Sequence, residues 1–89
     1  MGFALIKPLL LSGEAYIQMG KPNEALKYIK EAVVFATEGN VRPEMMNGYQ
    51  LLSSVYYQLG KNKNAYENLF EIYYIERFNP KPAIFVTIE

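Results

Sequence analysis

The stretch Gly20-Lys21-Pro22-Asn23-Glu24-Ala25-Leu26 returns forty residues later as Gly60-Lys61-Asn62-Lys63-Asn64-Ala65, and this return decides the fold. In both places a glycine and a run of turn-forming residues break the chain, and an alanine then opens a new apolar stripe. Working outward, the same shift lays Tyr16 on Tyr56, Gly13 on Ser53, Leu9 on Tyr49, Ile29 on Leu69 and Ala32 on Ile72. Small, aromatic and turn-forming residues recur in phase, as they do where supersecondary units stack and bury their apolar faces against one another.

Between the breaks, apolar residues fall at helical spacing. A first helix is expected from about Pro8, whose missing N–H costs nothing in a first turn, to Met19. A second takes Asn23 as its cap, carries Ala25, Ile29, Ala32 and Val33 on one stripe, and has Gly39 just past its end. A third opens at Pro43 and Glu44, and Met45, Tyr49, Leu52, Tyr56 and Leu59 draw one face in steps of four and three. A fourth runs from about Asn64 to Phe78 with Ala65, Leu69, Ile72 and Ile75 on one side, until Asn79-Pro80-Lys81-Pro82 ends it. The short loops after the first and third helices make each pair an antiparallel hairpin. Gly13 sits mid-helix, where glycine costs up to ~1 kcal/mol relative to alanine, so it is expected to mark the close approach of a neighbouring helix. Gly48 reads only as a tolerated residue near a helix start.

Both units resemble the tetratricopeptide repeat (TPR), the first through Gly13, Tyr16, Gly20, Ala25, Ile29 and Ala32, the second through Ser53, Tyr56, Gly60, Ala65, Leu69 and Ile72. Leu9 and Tyr49 stand where the family favours tryptophan, and Ile72 replaces a usual small residue. The linker from Glu38 to Arg42 lengthens the period, which resembles variants in bacterial regulatory proteins. The resemblance implies an all-α fold, two antiparallel hairpins stacked as a short right-handed solenoid. Within one domain, repeat 1 would cover about 6–39 and repeat 2 about 43–78, leaving residues 79–89 as a tail. The implied function is a non-enzymatic module that binds a peptide or protein segment.

In that arrangement the first helix of each unit lines the concave face. Lys7, Leu10, Glu14, Ile17 and Gln18 would point there from the first unit, and Asn47, Gln50, Ser54, Tyr57 and Gln58 from the second. Leu10 and Tyr57 would be the apolar anchors, and the amides can both donate to and accept from a peptide backbone. Members that grip a C-terminal carboxylate use a basic and amide clamp on these helices. Leu10, Glu14 and Ser54 occupy the matching positions here, and Glu14 repels such a ligand.

Composition excludes other functions. Eighty-nine residues form one small domain, able to bury about 64% of its extended surface. The chain has no His, Cys or Asp, which removes the imidazole base, the thiol nucleophile and the usual metal-ligand sets. Neither a cofactor nor a metal is expected. Glu67 and Glu71 lie on an open helix face, without the enclosed cleft that separates the pKa values of a catalytic pair. Nine Lys and Arg balance nine Glu, so no electrostatic footprint invites nucleic acid or an anionic membrane. No apolar run approaches the ~20 residues of a membrane span, and no signal-peptide pattern is clear, so a cytoplasmic location is expected.

The ends of the stack stand out. No polar capping helix is evident, and Phe3, Ile6, Phe70, Tyr73, Tyr74, Phe78 and Phe85 leave apolar area there. Self-association through these ends, or membership of a longer array, is the expectation that follows. The segment Pro82-Ala83-Ile84-Phe85-Val86-Thr87-Ile88 has strand-like composition but reads equally as a disordered tail or a helix start cut short.

Overall fold

A computed structural model of the protein describes residues 2–78. It contains four helices: α1 (Phe3–Gln18), α2 (Pro22–Glu38), α3 (Arg42–Gln58) and α4 (Asn62–Phe78), with no strand among the described residues. The α1/α2 and α3/α4 pairs are antiparallel hairpins. They stack through α2 against α3, and α1 also touches α3.

The two hairpin turns have the same geometry. Gly20 and Gly60 take φ of 74° and 78°, a left-handed conformation open to glycine without steric cost. The Gly20 N–H donates to the Ile17 carbonyl at 3.0 Å and the Lys21 N–H to Tyr16 at 2.8 Å. Gly60 to Tyr57 and Lys61 to Tyr56 repeat this pattern at 3.0 and 2.8 Å. Carbonyls orphaned by the end of each helix are thereby satisfied. The linker between the hairpins closes in the same way, with Asn40 donating to Thr37 at 3.1 Å and Val41 to Ala36 at 2.9 Å. Here Asn40, at φ 53°, takes the left-handed position that the sequence suggested for Gly39. Gly39 serves a different purpose: a Cβ on it would overlap the Phe3 ring.

Helix starts also move from their expected places. α1 begins at Phe3 and runs through Pro8 instead of starting there. Burial of Ile6, only 3% exposed, holds the early turns in the core and helps offset the ladder hydrogen bond that Pro8 cannot donate. Ile6 is therefore core, not part of an open end. α2 begins at Pro22, and neither Asn23 nor any other side chain caps it. Asn64 lies inside α4, where its carbonyl accepts from the Asn68 side-chain amide at 2.7 Å.

Two close approaches set the helix spacing. A Cβ on Gly13 of α1 would overlap Ile29 of α2, as the mid-helix glycine foretold. A Cβ on Gly48 of α3 would overlap Val33 of α2, so Gly48 is a packing residue and more than a tolerated one. Ala25, Ile29, Ala32, Val33 and Ala36 of α2 are all buried between the neighbouring helices. Ile29 and Val55 are the largest fully buried side chains, and Val55 lies off the stripe expected for α3. Tyr16 and Tyr28 stack with centroids 5.4 Å apart and planes within 5°. Electrostatic interaction with the adjacent Tyr28 hydroxyl holds the Tyr16 phenol above its ordinary value.

If these approaches fix the spacing, alanine at Gly13 or Gly48 should destabilise the fold. Its gain in helix propensity, up to ~1 kcal/mol, is outweighed by an overpacking cost of about 1–3 kcal/mol. Urea melts of each variant should show a lowered midpoint.

Candidate functional site

Two grooves follow from this packing. The seam groove lies where α1 meets α3 and has a volume of about 310 Å³, lined by Lys7, Leu10, Leu11, Glu14, Pro43, Glu44 and Asn47. The end groove lies between α3 and α4 and is larger. Its main chamber, about 890 Å³, is lined by Arg42, Pro43, Met46, Asn47, Gln50, Ile72 and Glu76. Gln50 also borders a second chamber of about 480 Å³ that includes Ser54, Tyr57, Tyr66 and Leu69.

The residues expected on one concave face are thus divided. Glu14 and Asn47 meet across the seam groove. Gln50, Ser54 and Tyr57 line the end groove instead, and Asn47 borders both. Leu10 is only 4% exposed, because α3 closes over it, so it forms the floor of the seam in place of an exposed anchor. Ile17 is half-buried against the core for the same reason. Gln18 and Gln58 are exposed near the ends of their helices and line neither groove. Tyr57, expected as an apolar anchor, is 72% exposed.

At the ends, Phe3, Phe70, Tyr73 and Tyr74 are exposed. Phe70 and Tyr73 lie side by side, ring centroids 6.1 Å apart. The side chain of Phe78 and all of Phe85 lie outside the described residues. Sequence reasoning missed Glu44, which lines the seam together with Lys7, and Arg42, whose Nε is a buried donor without an acceptor among the described residues. An arginine one residue before a helix-starting proline was the available signal.

No group of three or more metal-ligating side chains is present among the described residues. No helix among them is long and apolar enough to cross a membrane.

Compared with known families, residues 6–33 match the tetratricopeptide repeat model. No curated protein and no solved structure matches the chain. The protein therefore has a TPR-like all-helical fold with hairpin packing.

The distinction between floor and rim can be measured by chemical denaturation. Leu10→Ala should cost about 2–5 kcal/mol of stability, whereas Tyr57→Ala should stay within about 0.5 kcal/mol of the parent.

Proposed function

We propose that the protein is a protein–protein interaction module of two TPR-like repeats, whose α1/α3 seam holds a segment of a partner protein. The supporting observation is the seam itself. Leu10 and Leu11 of the family-matched hairpin meet Pro43 and Asn47 of the second. The apolar floor accepts a side chain, and the Asn47 amide can donate to or accept from the partner's main chain. Lys7, Glu14 and Glu44 all line the seam, and with two carboxylates to one ammonium it favours a segment that brings a cation. Burial of its apolar contacts supplies affinity, and the charged rim supplies register.

A peptide library screened against the full chain provides the ligand for a direct test. Asn47→Ala and Glu14→Ala should each weaken the best binder about five- to tenfold, in line with the loss of one hydrogen bond or charge contact. Circular dichroism should show unchanged helix content. Absence of any saturable binder, or binders indifferent to both changes, would count against the seam.

A second reading, assembly of copies through α4, is favoured by the exposed Tyr66, Phe70 and Tyr73 on one helix. Light scattering checks it: assembly predicts a mass that rises with concentration above the 10.2 kDa of one chain. Tyr73→Lys should return the mass to that value.

A further inference from the structure

The first hairpin shows what occupies a groove of this kind. Ile6, Leu10, Ala32 and Ala36 share one buried cluster with Met45, which comes from the start of the next helix. Forty residues on, those four positions are Met46, Gln50, Ile72 and Glu76. All four line the open main chamber of the end groove. Met45 itself maps onto Phe85.

We propose that the chain's own residues 82–88 dock in the end groove, with the Phe85 ring in the socket that corresponds to Met45's. The chamber suits an aromatic ring. Met46 and Ile72 provide apolar walls, and a methionine thioether makes a favourable contact with an aromatic edge. Arg42 lines the same chamber with a buried Nε that has no acceptor among the described residues. A main-chain carbonyl of the incoming segment satisfies that donor.

The docking does not copy α3 on α2 throughout. Asn40 turns the first linker at φ 53°, whereas proline at the matching position 80 is locked near −65°. The segment therefore enters by a different turn, and seven residues reach up to about 24 Å, ample for a chamber that begins at Glu76. Ile88 stands where Gly48 admits Val33, and Tyr73 stands for Val33. Two bulky residues at that point keep the segment from lying as close as α3 does, so it docks through Phe85 and diverges by Ile88.

The occupant is this segment and not a second copy because tethering gives an effective concentration in the millimolar range, well above that of free protein. The inference does not depend on the seam binding a peptide, and either can fail alone.

The absence of cysteine allows a clean test on the full chain. The pair Ile72→Cys with Phe85→Cys should form an intrachain disulfide under mild oxidation. Its rate should exceed that of Val34→Cys with Phe85→Cys, the former exposed on α2, by about tenfold or more, as a docked segment requires. Linkage only between chains would overturn the proposal in favour of a second copy. Equal rates for the two pairs would overturn it in favour of an undocked segment. Phe85→Ser provides an independent reading: amide exchange in the last turns of α4 should rise about tenfold. Unchanged exchange would overturn the proposal too.

Discussion

α2 is held on two sides by helices that can approach it closely only because each lacks a Cβ at one point. Ile29 sits over Gly13 of α1, and Val33 sits over Gly48 of α3. Adding a single carbon at either place forces a side chain into a well-packed interior, where strain is not easily relieved. The rest of the architecture follows from this double contact. It fixes how near α1 and α3 lie to α2, and through α2 how near they lie to each other. The seam groove is a consequence of that spacing, with the buried Leu10 as its floor.

The same constraint explains why the two hairpins, so alike in sequence phase, differ in burial. Ile29 is fully buried at 0% exposure, while Leu69, its counterpart forty residues on, is 48% exposed. The difference is not in the residues, since both are large aliphatics on equivalent turns of a second helix. α3 covers α2, whereas no described helix covers α4 in the same way. In a stack of hairpins, stability is shared with the next unit, and among the described residues the second hairpin has no such unit beyond it. The end groove is the face left uncovered there. Its lining changes accordingly: Ala36 becomes Glu76 and Leu10 becomes Gln50, a partly polar version of a buried site.

Some of this was legible in the sequence because local chemistry dictates it. A glycine with φ near +75°, a following lysine and an apolar stripe restarting at alanine make the same turn wherever they occur. Gly13 could be read as a close approach because a mid-helix glycine is costly unless it buys proximity. Gly48 carried the same message but sits near a helix start, where the cost is smaller, so the signal was weak. The Asn40 turn was hidden by the glycine beside it, which would ordinarily take the left-handed place. Pro8 misled for a similar reason, since its usual position is a first turn and only the burial of Ile6 shows that α1 starts earlier. Of the proposed binding residues, polar ones were placed on the surface correctly as a type. Their division between two grooves was not visible, because a residue on a first helix faces either the seam or the end according to which helix lies above it.

By itself, the sequence determined the class of fold, the four helices, the two matched turns and the absence of His, Cys and Asp chemistry. These depend on spacing, on backbone conformations peculiar to glycine and on composition, all of which are local or additive. Only the tertiary structure decided that Leu10 and Ile6 are buried, that Val33 meets Gly48, and that Gln50, Ser54 and Tyr57 belong to a different groove from Glu14. Burial is a property of pairs of elements. A helix face is core or surface only once its neighbour is in place, and in a stack of hairpins the neighbour's position is set by contacts far apart in the chain.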